Sequence, residues 1–245
     1  LDIYFYFQNI VQKNLIKKFN LLFVHTLDEK KIWENFGLPS VDINVMGVDS
    51  NLWRPRDKSQ SREKLNLSQD KKIILLSSRL EPKKRIKEVL ESYSNIPFSI
   101  LKESILIIAG DCSNKMYLVE LLKSCRRLDI LKNVIFTKWL EEETLLDYYA
   151  SSDLFITYSL TEGGPVSAMK ALLMNIPVIT SPTGIVSEFI AKENLGALVK
   201  DNHSLTNEIT RSLKSSSHPE TRNVSKEYFS WDKIIDRTLK FYDNH

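Results

Sequence analysis

Cysteine is scarce in this chain of 245 residues, and long apolar runs and a strong excess of one charge are missing. The two cysteines, Cys112 and Cys125, are too few for a disulfide framework or a cysteine-based metal site, and they indicate reduced thiols in a cytoplasmic protein. No run of 18 apolar residues is present, so we expect no transmembrane helix. Lys plus Arg number 34 and Asp plus Glu number 31, which leaves a net charge of +3. That excess is too small to indicate a nucleic-acid partner.

The motifs of several enzyme classes are absent as well. There is no Gly-x-Ser-x-Gly nucleophile elbow, no His-Glu-x-x-His zinc motif and no Gly-x-x-x-x-Gly-Lys-Ser/Thr phosphate loop. The four histidines are scattered along the chain. His25, at the end of the apolar segment LLFVHT, could face a cleft between domains, although a histidine satisfied at the surface or in the core is the simpler interpretation. These absences argue against a nucleophilic hydrolase and predict no metal site.

Apolar runs alternate with amphipathic segments from residue 73 onward. The predicted strands are IILLSS (73–78), SILIIAG (104–110), VIFT (134–137), LFITYS (154–159), PVIT (177–180) and ALV (197–199). The predicted helices cover 85–94, 115–128, 141–151, 166–175, a short stretch near Val186, and 231–243. This alternation is typical of a parallel sheet with helices on both faces. We therefore predict an α/β fold with a Rossmann-like, doubly wound parallel sheet.

The segment 156–180 carries the strongest indication of a binding site. A buried strand ends at polar residues that lead to Glu162, and Gly163 and Gly164 follow without Cβ atoms, so a ligand can approach the backbone closely. Pro165 suits the first turn of the helix that comes next. A carboxylate at the carboxyl end of a strand, beside the free N–H groups of a helix start, lies where open α/β sheets bind ligands.

These residues resemble a motif of the retaining, family-4 glycosyltransferases of the GT-B fold. The family has a Glu, a Gly-rich turn with a proline, and a second Glu after seven intervening residues; Glu162 matches the first Glu, whereas Lys170 replaces the second. The segment SSRLEPKKR (77–85) resembles a second motif, an Arg and a Lys five residues apart that bind the diphosphate of a nucleotide-sugar donor. Arg79 and Lys84 have that spacing. Taken alone, this basic run also fits the exposed start of a helix.

The resemblance implies substrates and residue roles. Arg79 and Lys84 would hold the donor diphosphate as its charge grows in the transition state, and Glu162 would accept hydrogen bonds from hydroxyls of the donor sugar. The other donor-binding residues would be Gly163, Gly164, Pro165, Val166, Lys170, Gly110 and Gly184. Glu188 would organise its own turn rather than touch the ligand. The donor would be a nucleotide-diphosphate sugar, with no cofactor and no tightly bound metal, and the acceptor a sugar, a glycan or a lipid-linked molecule.

The resemblance also divides the chain. Residues 1–50 would form the end of an amino-terminal domain and the interdomain segment, residues 51–228 the nucleotide-sugar-binding domain, and residues 229–245 a terminal helix that crosses back. The polar stretch 50–70 predicts a loop with a short helix. Because 245 residues are too few for both halves of a GT-B enzyme, we expect the carboxyl-terminal part of a longer polypeptide. We expect it in the cytoplasm, where its other half could contact the inner face of a membrane.

Two other functions stay open at this point. The lysine at position 170 is also compatible with a non-catalytic, glycosyltransferase-like binding or chaperone partner of an active enzyme. A nucleotide-sugar epimerase or a phosphorylase of the same fold is the third possibility. Lys170 itself would either donate to a ribose oxygen or a phosphate, in an adapted pocket, or reach solvent from a helix whose role is packing. If the pocket has decayed instead, Lys170→Glu would strengthen nucleotide binding.

Overall fold

The computed structural model describes Lys18 and residues 21–38, 40–215 and 219–244. Within these residues the strands are β1 Leu22–Val24, β2 Val41–Ile43, β3 Lys72–Ser77, β4 Ser104–Ala109, β5 Val134–Phe136, β6 Leu154–Thr157, β7 Val178–Thr180 and β8 Gly196–Leu198. The α-helices are α1 Leu27–Asn35, α2 Lys58–Lys64, α3 Ile86–Ser94, α4 Phe98–Leu101, α5 Lys115–Arg127, α6 Glu142–Ala150, α7 Val166–Leu173, α8 Gly184–Glu193, α9 Asn202–Lys214, α10 Arg222–Phe229 and α11 Trp231–Asp243. Short 3-10 turns cover Pro82–Lys84 and Leu131–Asn133.

Strands β3 to β8 form one parallel sheet in the order β5-β4-β3-β6-β7-β8. At its centre β3 pairs with β6 through Ile74↔Leu154 and Leu75↔Phe155. Counted in chain order within the sheet, this is the 3-2-1-4-5-6 arrangement of a Rossmann-like fold, in which the strand order reverses beside the first strand. The predicted α/β, doubly wound parallel sheet is confirmed.

The sheet is buried on both faces because its strands are almost wholly apolar. In β3, Ile73 and Leu75 belong to one core cluster and Ile74 and Leu76 to another, since successive side chains of a strand point to opposite faces. Helices α6, α7, α8 and α10 contribute to the first cluster, and α3, α5 and α9 to the second. Amphipathic helices on both faces are what a parallel sheet needs to exclude water.

Two of these helices, α9 and α10, were not predicted from the sequence. Helix α9 begins with a capping box between Asp201 and Ser204, and it buries Leu205, Ile209 and Leu213. The four-residue spacing of these three apolar residues is a helical signal in the sequence. Helix α10 has eight residues and is too short for periodicity to identify. The polar stretch 50–70 does contain its predicted short helix, α2.

The described residues before the sheet form a small unit with its own strand pair. Strands β1 and β2 pair in parallel, and Val24, Leu38 and Val41 make a separate apolar cluster. Much of the range 1–20 lies outside the described residues, and the domain boundaries after residues 50 and 228 stay predictions.

The segment that resembles an interdomain connection is joined to the start of the terminal helix. Val48 N–H donates to the carbonyl of Phe229 at 2.8 Å, and Trp231 N–H donates to the carbonyl of Val48 at 3.3 Å. Gly47 leaves room for the Trp231 indole, which a Cβ atom at that position would overlap. These contacts join the segment just before the six-stranded sheet to the segment that follows it. The unit of β1 and β2 contacts the same region, because the Asn44 side chain, next to β2, donates to Thr238 Oγ1 in α11 at 2.9 Å.

Neither a membrane-spanning helix nor a metal-binding cluster occurs in the described part of the chain. No helix there is long and apolar enough to cross a membrane. No group of three or more His, Cys, Asp or Glu residues there could hold a metal ion. Both cysteines are free thiols, and burial raises the pKa of Cys125 to about 11.

Candidate functional site

The candidate site lies where the strand order of the sheet reverses, at the carboxyl ends of β3 and β6. The chain leaves β3 toward α3 on one face and leaves β6 toward α7 on the other. Loops that diverge in this way open a crevice, in which doubly wound sheets bind ligands. The loop after β3 carries Lys84 and the loop after β6 carries Glu162. The two loops are joined directly, because Leu160 N–H donates to the carbonyl of Lys83 at 2.9 Å.

Lys84 and Glu162 form an ion pair in this crevice. Lys84 Nζ donates to Glu162 Oε1, and Ser159 Oγ donates to the same oxygen at 2.6 Å. The side chain of Lys84 is 17% exposed and that of Glu162 13%, so the two charges attract more strongly than at an open surface. Among the residues that the structure describes, Glu162 Oε2 has no hydrogen-bond partner. One carboxylate oxygen is thus fixed, and the other is open to a ligand.

The glycine turn of Gly163 and Gly164 leads from this pair into α7. Pro165, with a φ of −70°, is the residue just before the helix and not part of its first turn, which corrects the prediction. The first hydrogen bond of the helix runs from Ala168 N–H to the carbonyl of Pro165 at 2.9 Å. The N–H of Val166 therefore precedes the helical hydrogen bonds, in the position from which helix starts bind anions.

The loop after β7 packs against the glycine turn through Gly184. Gly184 has a φ of +77°, and a Cβ atom there would lie 2.7 Å from the carbonyl oxygen of Gly163 and 2.8 Å from that of Glu162. The next residue, Ile185, donates its N–H to the carbonyl of Gly163 at 2.9 Å. Gly184 therefore fixes the position of the turn, while its predicted contact with the donor stays a prediction.

Two further contacts hold the loops on either side. Gly110, with a φ of +147°, lies so close to the carbonyl of Ser78 that a Cβ atom would overlap it, so it brings the loop after β4 against the loop after β3. On the other side, Ser181 Oγ accepts from Ser159 N–H at 3.1 Å and donates to the carbonyl of Ser159 at 2.8 Å. Gly110 thus supports the segment that leads to Lys84, and a direct donor contact at Gly110 stays a prediction.

Arg79 is not brought together with Lys84 and Glu162. Its side chain is 71% exposed, and its Nη1 lies 3.0 Å from Glu81 Oε1. Lys83 Nζ lies 3.2 Å from the other oxygen of Glu81, and the hydrogen bond from Lys83 lowers the pKa of this carboxyl. Of the two cations predicted to act together, Lys84 thus pairs with Glu162 in the crevice, whereas Arg79 is exposed and pairs with Glu81.

Lys170 lies in the second turn of α7, between an aromatic ring and a carboxylate. Its Nζ is 3.9 Å from the centre of the Trp53 ring and 3.9 Å from Glu142 Oε1. Its side chain is only 20% exposed, and burial lowers the pKa of Lys170 while Glu142 opposes that shift. The structure thus places the ammonium against two partners rather than in solvent. A contact with ribose stays a prediction.

Three residues outside the predicted donor-binding set lie at the site or next to it. Ser159 orients Glu162, and its only signal in the sequence was its place at the end of the strand. His25 packs on the glycine turn: a Cβ atom on Gly163 would lie 3.4 Å from His25 Cβ. Glu188 accepts from Leu27 N–H with both oxygens at 3.2 Å, and burial raises its pKa. It therefore binds the start of α1, instead of organising its own turn as predicted.

The sequence matches known glycosyltransferases over most of its length. The sequence model of the family Glycosyl transferases group 1 matches residues 57–229. Alpha-monoglucosyldiacylglycerol synthase of Streptococcus pneumoniae is 27% identical over 198 residues, which cover 77% of this chain and 43% of the synthase. D-inositol 3-phosphate glycosyltransferase of Rhodococcus jostii is 24% identical over an alignment of 254 positions, gaps included, which covers 96% of this chain and 55% of that enzyme. The chain therefore spans about half the length of the curated relatives it matches.

The structure also matches solved glycosyltransferase structures. Anabaena HepE in complex with UDP gives a TM-score of 0.85 at 20% identity, over 96% of this chain and 67% of HepE. Sucrose-phosphate synthase from Thermosynechococcus elongatus gives 0.82 at 21% identity, over 96% of this chain and 60% of the synthase. At these identities the likeness shows the fold, and the family match covers the whole six-stranded sheet. The chain belongs to the group 1 glycosyltransferases of the GT-B fold.

Proposed function

We propose that this chain is the donor-binding part of a retaining glycosyltransferase, which transfers a sugar from a nucleotide-diphosphate sugar to an acceptor. The observation that carries the proposal is the Lys84–Glu162 ion pair at the point where the strand order reverses, beside the start of α7. A cation and a carboxylate side by side suit a ligand that joins a diphosphate to a hydroxyl-rich sugar. The solved complexes of HepE with UDP and with UDP-glucose support such a donor in a related fold.

Lys84 binds the diphosphate in this proposal. An ammonium group has three N–H donors, and Glu162 takes one of them, which leaves two for phosphate oxygens. Negative charge grows on the diphosphate as its bond to the sugar breaks. A fixed cation in a shielded crevice therefore stabilises the transition state more than the ground state. The N–H of Val166, at the start of α7, adds to the same favourable potential.

Glu162 binds the sugar. Lys84 and Ser159 fix its Oε1, so the orientation of the carboxylate is set before any ligand arrives. Its Oε2 can then accept a hydrogen bond from a sugar hydroxyl. Because the acceptor is charged, such a bond contributes about 1.5–3 kcal/mol. Binding at both ends of the scissile bond orients the donor for attack by the acceptor.

Arg79 joins the diphosphate when the donor binds. The Arg79–Glu81 ion pair is exposed and screened by solvent, so it is weak and a diphosphate can displace Glu81 with little loss. A guanidinium offers a planar pair of N–H donors to phosphate oxygens. Arg79 would thus exchange Glu81 for the diphosphate that Lys84 also binds.

The finer features of the reaction follow from the same proposal. Retention of the anomeric configuration and transfer without a bound metal rest on the resemblance of the Glu162 turn to retaining enzymes. The acceptor is a sugar, a glycan or a lipid-linked molecule, and the name of the Streptococcus pneumoniae relative supports a lipid. Acceptor contacts would come from the part of the relatives' length that this chain does not span, in the cytoplasm or at the inner face of a membrane. Because the relatives are named as synthases and transferases, the comparisons do not favour a non-catalytic partner.

Titration calorimetry with UDP, GDP and ADP tests the proposal, and the nucleotide that binds most tightly is carried forward. Lys84→Ala should weaken binding of that diphosphate by roughly 1.5–3 kcal/mol, about tenfold or more, and should leave the nucleoside unaffected. Arg79→Ala should act in the same direction. Lys72→Ala is the matched control, because Lys72 is the first residue of β3 and lies at the amino end of that strand, whereas the crevice lies at its carboxyl end.

Two results would contradict the proposal. One is that none of the three diphosphates binds to the wild-type chain. The other is that Lys84→Ala and Lys72→Ala bind the chosen diphosphate equally well while both variants remain folded by circular dichroism. Proton nuclear magnetic resonance of any transfer product would read its anomeric configuration, and inversion would remove the retaining mechanism alone.

A further inference from the structure

The imidazole of His25 lies directly on the glycine turn that follows Glu162. A Cβ atom built on Gly163 would lie 3.4 Å from His25 Cβ, 3.5 Å from Cγ and 3.8 Å from Cδ2, and one built on Gly164 would lie 3.9 Å from Cδ2. The two glycines thus leave the space that the ring covers. His25 precedes residues 57–229, which match the family, so this side chain reaches the turn from outside the matched region.

The backbone that carries His25 is held from two sides. His25 N–H donates to Glu29 Oε2 at 2.8 Å, and Leu27 N–H donates to both oxygens of Glu188 at 3.2 Å. Glu188 belongs to α8, whose first residue, Gly184, packs against the same glycine turn. The ring is therefore positioned by elements that contact the site themselves, and it needs little reorganisation to meet a ligand.

The ring nitrogens of His25 are available to a ligand. The side chain is exposed, and neither nitrogen has a hydrogen-bond partner within the described residues. Imidazole carries at least one N–H donor in either protonation state. His25 thus offers a donor of hydrogen bonds beside Gly163, the residue that follows Glu162, and Glu162 Oε2 offers an acceptor.

The charges around His25 favour a hydroxyl group over a phosphate. Glu29 and Glu188 bind the backbone at residues 25 and 27, and Glu162 begins the turn on which the ring lies. Carboxylates repel a phosphate at short range. A hydroxyl, in contrast, can donate to a carboxylate and accept from an imidazole N–H at the same time. The phosphates have their own cation in Lys84.

We propose that His25 binds the sugar of the donor, donating a hydrogen bond from its imidazole to a hydroxyl of the sugar that Glu162 holds. This inference rests on the proposed function. It adds a substrate-binding residue supplied by the segment between β1 and α1. It also implies that the unit of β1 and β2 takes part in sugar recognition and does not only connect two domains.

The test compares a nucleotide sugar with its nucleotide. UDP-glucose and UDP are titrated against the wild-type chain, His25→Ala, His25→Gln and His203→Ala; if another nucleotide binds more tightly, that diphosphate and its glucose ester are used. His25→Ala should weaken UDP-glucose binding about threefold to tenfold, the scale of one hydrogen bond, and should change UDP binding less than twofold. His25→Gln keeps an N–H donor and should recover part of the loss.

His203→Ala is the matched control, because His203 is an exposed histidine in α9 whose ring hydrogen-bonds with Asn207. Equal changes in UDP and UDP-glucose binding for His25→Ala, or none in either, would overturn the inference. A loss that His25→Gln does not recover at all would overturn it as well. If Lys84→Ala weakens UDP binding while His25→Ala has no effect on UDP-glucose, only this inference fails. If no diphosphate binds to the wild-type chain, the proposed function fails with it.

Discussion

Helix α7 has a charged side chain just before it and another in its second turn, and the two are held differently. Glu162 is bound by Lys84 and Ser159 through one oxygen, and its second oxygen is open. Lys170 lies against Trp53 on one side and Glu142 on the other, each at 3.9 Å. At the first position, one oxygen of Glu162 is held in place and the other remains accessible to a ligand. At the second position, the ammonium group of Lys170 is already in contact with side chains of the protein itself.

The difference shows which charge the surroundings of position 170 favour. The face of an indole is electronegative, so it attracts an ammonium and repels a carboxylate. The carboxylate of Glu142 likewise attracts an ammonium and repels another carboxylate. Lys170 therefore comes with two partners that suit its charge, Trp53 and Glu142, and these would oppose a glutamate. In this structure Lys170 therefore lies between two side chains that both favour a positive charge.

The largest effect should come from Gly184, which supports only the Glu162 end. Gly184→Ala places a Cβ atom 2.7 Å from the carbonyl oxygen of Gly163, in a backbone conformation with φ of +77°. We expect roughly 3 kcal/mol of lost unfolding free energy, from left-handed strain and from this clash, together with weaker binding of the nucleotide diphosphate. Urea unfolding followed by circular dichroism measures the first quantity and calorimetry the second.

Gly37→Ala separates the two causes. Gly37 has nearly the same φ, +81°, but among the described residues, its chain neighbours aside, no atom lies within 4 Å of a Cβ built there. Its substitution should therefore cost only the strain of about 1–2 kcal/mol and should leave nucleotide binding unchanged. Equal losses for the two variants would mean that the contact with the Glu162 turn contributes nothing.

A smaller effect is expected at the Lys170 end. Lys170→Glu removes the contact with the Trp53 ring and places two carboxylates together, which should lower the unfolding free energy by about 1–2 kcal/mol. Adding Glu142→Lys restores an opposite pair, so the double variant should recover part of that loss. Urea unfolding of the two single variants and the double variant gives the coupling energy. If the effects are simply additive, Lys170 and Glu142 do not act as a pair.

The same variants decide among the earlier interpretations of Lys170. In a pocket adapted to lysine, Lys170→Glu should weaken binding of the nucleotide diphosphate by repulsion. In a decayed ribose pocket, it should strengthen binding and improve the discrimination between ribose and deoxyribose. These titrations are best made in the Glu142→Lys background, where the new carboxylate has a partner.

The smallest effect should appear in the pH dependence of stability. Burial holds the pKa of Lys170 below its ordinary value of 10.5. Between the lowered pKa and 10.5, the unfolded chain binds more protons at this residue than the folded chain does, so the unfolding free energy contributed by Lys170 rises with pH. Lys170→Met should remove that rise, by less than about 1 kcal/mol. Urea titrations at several alkaline pH values measure the unfolding free energy of the wild-type chain and of Lys170→Met. The variant Lys72→Met is the control for removing a lysine elsewhere.

The sheet could be predicted from the sequence because its signals are local. Runs such as IILLSS and SILIIAG are short, apolar and separated by amphipathic segments, and each became a strand of the parallel sheet. The order of the strands could be expected only from the resemblance. Helices α9 and α10 were not predicted. Helix α9 carries a four-residue apolar spacing in its sequence, whereas α10 is too short to show one.

The candidate site was predictable in its residues but less so in its contacts. Lys84 and Glu162 are 78 positions apart, and only the strand order brings them together. The partners of Arg79 and Lys170 could not be foreseen, since ion pairs with Glu81 and Glu142 depend on side-chain direction. His25 lies far from the motif in sequence and reaches it through the packing of a separate strand pair on the glycine turn.

The backbone hydrogen bonds between loops also bear on how the site opens. Leu160 N–H joins the loop after β6 to the loop after β3, and Ile185 N–H joins the loop after β7 to the loop after β6. Amide protons that link different segments exchange with solvent only when those segments separate, and neighbouring links tend to open as one cooperative unit. In native-state hydrogen exchange, the amides of Leu160 and Ile185 should therefore share one opening free energy, and a bound nucleotide should slow both to the same extent.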